Sequence, residues 1–326
     1  MDQVYSLTDF CYFMPNNIFV KIKKLVGRRF FFLLFASFLS VSLFGCTDEL
    51  EDFSQEKDFS QEEDSLPLHY TASIYAKITG LGSCEGKSFQ GFAVYNDVAF
   101  CFYHSGICRT IDLNTKEIIA QFYLPSEAHH GRNHAGVACF SEEFFAGTDE
   151  FPLLYLSSYQ EYKCYVLRMS RTGAELVQSI YTYENEEKKL APVLAYEPDG
   201  DILLLKMRDT NYHWISINRP NVHIAKTVYL NLEDKKDEFE VASTAAYNAG
   251  FAYHGKIYQL AGYARDDYKL YILDYINKKV LVDEYWNDDI LKQYEQEQCS
   301  KFKNGLLINY NYSDQLVYVE LSNWKF

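Results

Sequence analysis

The residues best suited to binding chemistry are histidines gathered in one short segment. His129, His130, Asn133 and His134 offer imidazole nitrogens and a side-chain amide to a ligand. Imidazole also binds Zn²⁺, but a zinc site needs three or four protein ligands at defined spacing, and the sequence offers no such third ligand. We therefore interpret His130, Asn133 and His134 as ligand-binding candidates and predict no metal and no cofactor. The alternative for His134 is a histidine bonded only to neighbouring backbone or water.

Three further candidates, Arg208, Tyr263 and Arg265, lie in the polar segments 208–212 and 263–267. An aromatic ring packs on apolar C–H surface, while nearby charges and amides bond hydroxyl or peptide groups. This combination suits a glycan or an extended peptide. The alternative is that aromatic rings such as that of Tyr263 simply pack against neighbouring parts of the fold.

Carboxylates support a second hypothesis, in which the protein is an enzyme. Glycoside hydrolysis needs two carboxyl groups about 5–10 Å apart with different protonation states. Glu127, Asp209, Asp266 and Glu297 are candidates, but the sequence contains no nucleophile-elbow or phosphate-binding glycine motif. We predict a binding protein without evident catalysis. The alternative is a carbohydrate-active or other hydrolase that uses the loops near His134.

Cysteine spacing gives no metal motif, because no Cys-x-x-Cys pair occurs among the eight cysteines. Cys101 and Cys108 flank a predicted hairpin turn symmetrically and could form a disulfide across two strands. The alternative is that both are isolated buried thiols.

The N-terminal residues have the composition of an export signal. Five basic residues between Lys21 and Arg29 precede the apolar run 30–44, as in the charged and apolar regions of a signal peptide. This run of 15 residues is shorter than the ~20 needed for a membrane-spanning helix. We predict a signal peptide over residues 1–45, with Met14 as a candidate for the true start. The alternative is an uncleaved membrane anchor.

The run ends in Leu43-Phe44-Gly45-Cys46, which resembles a bacterial lipobox. The resemblance implies that cleavage leaves Cys46 as the new N-terminus and that its sulfur carries a lipid. The mature protein is then held on a membrane through Cys46. We expect export and anchoring to the outer membrane, on the cell surface or the periplasmic side.

Residues 46–66 form an acidic segment with a short tandem repeat, 52–57 and 58–63. So few branched apolar residues cannot offset the entropy of ordering, and we predict a disordered tether. The segment resembles the acidic stretch that directs lipoproteins of Bacteroidota-type bacteria to the outer surface; the alternative is a simple spacer. The formal net charge of −14 argues against nucleic acid as a partner.

The remaining residues, 67–326, indicate one all-β domain rich in Tyr and Phe. Short strand-like runs recur in units of about fifty residues, each resembling a four-stranded propeller blade. The predicted fold is a β-propeller of five blades, in which residues 69–79 supply the strand that the last unit lacks. Six blades or a β-sandwich are the alternatives. Within this scheme, we interpret 223–231 as the last strand of the third unit and 232–240 as an insertion.

The blade pattern also predicts which loops share a face. In a four-stranded meander, the connection between the second and third strands and the connection to the next blade emerge on the same side. This side collects His104, the histidine segment, 208–212 and 263–267. We therefore expect His134 and Arg208 to lie around one opening.

One run resembles a known group of proteins. Residues 134–140 (HAGVACF), together with 151–155 (FPLLY), are similar to uncharacterised propeller-type lipoproteins of Bacteroidota. The resemblance implies a fold and not a reaction.

Overall fold

The computed structural model describes residues 68–158, 160–181, 191–194, 202–206, 211–217, 220–229, 235–242, 247–262 and 267–326. The strands between 191 and 217 and between 235 and 249 are described by their backbone alone. The predicted signal peptide, Cys46 and the tether lie outside these ranges. Within them, no helix is long and apolar enough to cross a bilayer.

The strands of these ranges form five sheets, which we call blades 1 to 5. The first strand, β1 (Tyr70–Lys77), belongs to blade 5. Blade 1 holds β2 (Ser83–Cys84), β3 (Lys87–Tyr95), β4 (Val98–Tyr103), β5 (Ile107–Asp112) and β6 (Glu117–Tyr123). Blade 2 holds β7 (Val137–Phe140), β8 (Leu154–Ser158), β9 (Lys163–Ser170) and β10 (Gly173–Tyr181). Blade 3 holds β11 (Ala191–Leu194), β12 (Ile202–Lys206) and β13 (Asn211–Ile217).

The remaining strands complete the sheets. β14 (Thr227–Tyr229) joins blade 2, and β15 (Lys235–Ala242) joins blade 3. Blade 4 holds β16 (Tyr247–Tyr253), β17 (Lys256–Ala261), β18 (Lys269–Asp274) and β19 (Lys279–Tyr285). A 3-10 helix at Asp289–Lys292 leads to blade 5, which holds β20 (Gln296–Phe302), β21 (Gly305–Tyr310) and β22 (Gln315–Leu321) in addition to β1.

The innermost strands close a ring. β3 contacts β7, β7 contacts β11, β11 contacts β16, β16 contacts β20, and β20 contacts β3. The predicted all-β propeller is therefore confirmed. Buried aromatic side chains fill the space between neighbouring blades: the Phe100 and Phe151 rings, from blades 1 and 2, meet edge to face at 5.0 Å.

The ring is closed by strands from both ends of the domain, as predicted. β1 pairs antiparallel with β22, from Tyr70 opposite Leu321 to Lys77 opposite Gln315. Pairing leaves β22 without a free edge, which protects the sheet from edge-to-edge association. Ile78, just after β1, is buried, whereas Ile74, on this outermost strand of blade 5, is 39% exposed.

Two predicted strand boundaries were wrong. The segment 223–231 contains β14, which pairs in parallel with β10 of blade 2 and is not the last strand of blade 3. That place is taken by β15, which pairs with β13 and lies largely in the segment interpreted as an insertion. Backbone hydrogen bonds between strands do not require apolar side chains, so a charge-rich sequence can still form an outer strand.

Register explains why Cys101 and Cys108 are not bridged. Cys101 lies opposite Arg109, and Cys108 lies opposite Phe102. Because successive side chains of a strand point to opposite faces, the two thiols lie on different faces of blade 1. Both are buried and free, and the alternative of isolated thiols is the observed one.

Candidate functional site

The centre of the ring is held by one buried amide, that of Gln298 on β20. Its Oε1 accepts hydrogen bonds from the backbone N–H groups of Phe92 and Ala138, both at 2.9 Å. Its Nε2 donates to the carbonyl oxygens of Ala138 and Gly250. One side chain of blade 5 therefore bonds the inner strands of blades 1, 2 and 4.

Two neighbouring side chains extend this polar centre. Asn309 accepts a hydrogen bond from the Gln298 N–H at 2.8 Å and donates to the Gln90 carbonyl at 2.8 Å. The Ser300 hydroxyl accepts from the Val94 N–H at 3.0 Å. These bonds join β20 and β21 to β3, so the inner strands hold one another through side chains.

The two ends of the central channel differ. We call one the turn end, because it carries the hairpin turns 96–97 and 303–304. The other is the loop end, which carries the β4–β5 connection 104–106 and the β6–β7 connection 124–136. Strand direction fixes this division, since β3 and β20 both run from the loop end towards the turn end.

A cavity of about 720 Å³ opens at the turn end. Its wall is made by the last residues of four inner strands and the turns that follow, at 94–97, 139–142, 251–253 and 300–303. Each of these four strands ends in an aromatic residue: Tyr95, Phe140, Tyr253 and Phe302. The cavity therefore has a largely aromatic rim, of a volume suited to a small ligand or a short chain end.

Of the two lysines that line this cavity, Lys301 and Lys303, Lys301 is the more buried. Its Nζ lies 5.0 Å from the ring centre of Tyr253 and 5.5 Å from that of Phe326. In the part of the chain that the structure describes, no carboxylate lies within 4.0 Å of Nζ. Burial lowers the pKa of Lys301, so the ammonium is partly desolvated without an ion pair.

Acidic side chains of the cavity stand further out. Asp97 and Glu142 are both exposed at its edge. The Glu142 carboxylate lies 3.9 Å from Nδ1 of His254. The cavity is therefore basic in its wall and acidic at its edge.

The loop end holds the predicted histidines. The rings of His104 and His134 meet edge to face with centres 5.6 Å apart, and the Ser105 N–H donates to the Asn133 carbonyl at 2.7 Å. The β4–β5 and β6–β7 connections therefore lie side by side. Burial, with a smaller contribution from the nearby His104, lowers the pKa of His134 to about 4, so its imidazole is neutral at pH 7.

His130 lies in a separate hydrogen-bonded cluster. Its Nε2 is 3.3 Å from Oε1 of Glu161 and 3.3 Å from the Tyr165 hydroxyl. That hydroxyl donates to the second carboxylate oxygen of Glu161 at 2.8 Å. About a third of the His130 side chain is exposed, so the imidazole joins β6–β7 to β8–β9 while one edge stays accessible.

Asn133 braces the loop on which it lies. Its side chain is fully buried. The amide Nδ2 donates to the Ala128 carbonyl at 2.6 Å, and Oδ1 accepts from the Ala135 N–H at 2.9 Å. Both ends of this amide bond to local backbone, which makes Asn133 a positioning residue for His134 and not an accessible contact.

The other predicted contacts, Arg208, Tyr263 and Arg265, lie outside the described residues. They fall in sequence between β12 and β13 and between β17 and β18. The predicted clustering of His134 with Arg208 therefore stays a prediction. Among the residues that can be described, no three His, Cys, Asp or Glu side chains are grouped as a metal site requires.

Among the acids that the structure describes, Glu297 has the most strongly shifted pKa. It lies where the register of β20 against β21 shifts, between Gln296 and Gln298. Burial, and to a smaller degree the charge of Glu295, raise the pKa of Glu297 to about 8. Its carboxyl group, near the loop end of β20, is therefore largely protonated at pH 7.

Comparisons with known proteins support the fold. No protein-family model and no curated protein matches the sequence. A glutaminyl cyclase from Myxococcus xanthus aligns with a TM-score of 0.51 and 11% identity, over 78% of this chain and 98% of that chain. A Bacteroides thetaiotaomicron protein of unknown function aligns with a TM-score of 0.43 and 9% identity, over 78% of this chain and 76% of the other. At such identities the likeness concerns the fold alone.

Fold and cavity together define a β-propeller with an aromatic, lysine-bearing pocket at one end of its channel. The sequence analysis placed its candidate residues at the other end, so this pocket was not predicted. The signal was present in four of the five inner strands, β3, β7, β16 and β20, which end in an aromatic residue. Four such repeats mark a ring of aromatic side chains around the channel.

Proposed function

We propose that this protein binds a ligand through the turn-end pocket and performs no catalysis there. The observation that carries the proposal is the cavity of about 720 Å³ with its aromatic rim and two lysines, Lys301 and Lys303, in its lining. Aromatic walls with few polar groups are typical of ligand pockets. A glycan or a peptide end fits this chemistry, and a partner protein could present either.

Binding to glycan and peptide arrays tests the proposal with the chain from Thr47 onward. We expect Tyr253→Ala to weaken binding, because Tyr253 forms part of the rim and supports Lys301. His130→Ala, at the loop end, is the matched control and should bind as the wild type does. If His130→Ala alone weakens binding, the ligand occupies the loop end and the pocket assignment is wrong.

We further propose that the protein is an exported lipoprotein anchored to the outer membrane through Cys46. The support is the basic and apolar segment before Cys46 and the acidic segment after it. Labelling cells with a fatty-acid analogue tests the anchor: wild type should take up label and Cys46→Ala should not. Cys101→Ala, which removes a buried thiol, is the control and should keep the label.

The second candidate function, hydrolysis, is favoured by one feature, the burial of Glu297, which raises its pKa to about 8. A carboxyl group with a pKa of about 8 can donate a proton at neutral pH, as the general acid of a glycosidase does. Release of reducing ends from a glycan library tests it. Activity lost in Glu297→Gln but kept in Glu295→Gln would establish this candidate, and absence of activity across the library would remove it.

A further inference from the structure

The lining of the pocket contains two lysines, Lys301 and Lys303. Lys301 brings an ammonium group without a carboxylate partner among the described residues. The neighbouring Ser300 points the other way, because successive side chains of a strand lie on opposite faces: its hydroxyl accepts the Val94 N–H of β3 at 3.0 Å, whereas the Lys301 ammonium lies beside Tyr253. The Lys301 ammonium is therefore the polar group of β20 that lies next to the Tyr253 ring.

A partly buried ammonium without a counter-charge is costly, because a charge loses hydration that nothing replaces. The rings of Tyr253 and Phe326 supply only the weaker cation–π attraction. An anionic group in the pocket replaces the missing hydration directly. Charge-assisted hydrogen bonds to a carboxylate are stronger than bonds between neutral groups.

The remainder of the pocket suits a sugar ring. The aromatic rim packs against C–H faces, and the exposed acids Asp97 and Glu142 can accept hydroxyl protons at the pocket edge. A peptide carboxylate would also form an ion pair with Lys301, but a peptide end lacks the several hydroxyl groups that Asp97 and Glu142 can bond. A carboxylated sugar can place its carboxylate at Lys301, its C–H face against the aromatic rim and its hydroxyl groups near Asp97 and Glu142.

We propose that the turn-end pocket binds an acidic sugar, a uronic acid residue of a glycan, with its carboxylate at Lys301. This inference rests on the proposed ligand-binding function and specifies the class of ligand. The bound carboxylate forms an ion pair with the Lys301 ammonium, and the sugar ring packs against Tyr253.

Matched oligosaccharides that differ only at one position test the inference. Oligomers of glucuronic acid and of glucose differ by a carboxylate in place of a hydroxymethyl group. We expect calorimetric titration of the chain from Thr47 onward to show binding of the acidic oligomer at least about tenfold tighter, as the strength of a hydrogen bond to a charged group implies. Lys301→Met should remove this preference, and Lys301→Arg should retain part of it.

Stability separates this role from a structural one. Lys301→Met keeps the apolar stem over the two rings and removes only the desolvated charge, so its melting temperature should not fall. Lys116→Met is the control, since Lys116 also lies over a tyrosine, Tyr75 at 5.1 Å, but does not line the pocket. That variant should keep the preference for the acidic oligomer.

The outcomes distinguish the two proposals. Equal affinity for both oligomers, unchanged in Lys301→Met, overturns the acidic-sugar inference and leaves the binding function standing. Binding of carboxylate-terminated peptides but of neither oligomer has the same effect. If neither the oligomers nor the glycan and peptide arrays yield a ligand, both proposals fail.

Discussion

The two ends of the propeller channel differ in whether their polar groups are bonded to other parts of the protein. At the loop end, long connections fill space and use their polar groups on one another, as Asn133 does with Ala128 and Ala135. At the turn end, the tight turns after β3, β16 and β20 leave a cavity open, and its Lys301 has no ion-pair partner among the described residues. The polar residues that cluster in the sequence therefore lie at the end whose loops are held by hydrogen bonds among themselves. The open pocket lies at the other end.

This difference has a physical cause. A connection as long as 124–136 carries many backbone polar groups, and these must be paired when the loop packs against the disc. Asparagine and histidine side chains are efficient partners for such groups. Their clustering in the sequence signals a folded loop at least as readily as a binding site.

The largest expected effect concerns the closing strand, on which both ends depend. Deleting residues 69–79 removes β1 and exposes the edge of β22. It also removes the buried residues Ala76 and Ile78. Burial of one large apolar side chain stabilises the fold by about 1.5–3 kcal/mol. We expect loss of cooperative unfolding or a melting temperature lower by more than 10 °C, a shift that a few kcal/mol produces in a domain of this size.

Deletion of the acidic tether, residues 47–64, is the control for the closing strand. It should leave the thermal unfolding curve unchanged. Similar melting temperatures for the two deletions would mean that β1 is dispensable and that contacts among the inner strands suffice to keep the ring closed.

The central amide comes next in expected magnitude. Gln298→Met keeps the side-chain volume but leaves backbone groups of Phe92, Ala138 and Gly250 without their partner. Unsatisfied buried groups cost about 1–3 kcal/mol each, so we expect a loss of roughly 3–5 kcal/mol in the free energy of unfolding. Urea denaturation measures it. Gln121→Met, on the exposed outer strand β6, should change stability by less than about 0.5 kcal/mol.

Much of this architecture could be predicted from the sequence, because repeats and turns are local signals. The strands of blades 1, 2 and 4 and the closing role of β1 followed from alternation and spacing. β14 could not be predicted in this way, since its parallel pairing with β10 joins segments far apart in sequence. The bonds of Gln298 are equally long-range: no local pattern distinguishes this glutamine from Gln296, two positions earlier.

The candidate site was predictable only in part. His130, Asn133 and His134 do lie together at one end of the disc, as the blade pattern implied. Their environments could not be inferred, because burial of Asn133 and His134 depends on packing against the β4–β5 connection. The importance of Lys301 depends likewise on the absence of a nearby acid among the described residues, which only the folded structure can reveal.

Two substitutions at the loop end should lower the free energy of unfolding by smaller amounts, and they test the difference between a bracing residue and an accessible one. Asn133→Ala leaves the Ala128 carbonyl and the Ala135 N–H without partners in a buried loop, and we expect a loss of about 2 kcal/mol. His130→Ala removes a partly exposed contact with Glu161 and should cost less than about 1 kcal/mol. Urea titrations of both variants measure the difference. Equal costs would contradict the bracing role of Asn133.

The smallest expected effect is the pH dependence that His134 contributes. Its folded-state pKa of about 4 is below the value of about 6.5 for an unfolded histidine. Between these values the unfolded chain binds the proton more readily, so folding is penalised as pH falls. The contribution of neutral His134 is complete above pH 6.5 and is lost as pH falls towards 4. Partial exposure limits the loss to about 1–2 kcal/mol.

Glu297 acts with the opposite sign over an overlapping range and must be separated from His134. Its folded-state pKa of about 8 is above its unfolded value, so its stabilising effect is lost as pH rises towards 8. Comparing wild type with His134→Gln at each pH cancels the Glu297 contribution. We expect the stability difference between these two proteins to change by about 1–2 kcal/mol between pH 7 and pH 4.5, in favour of the variant at low pH. A constant difference over that range would show that the His134 ring titrates in the folded protein as it does in water, and the loop end would then be as open to solvent as the turn end.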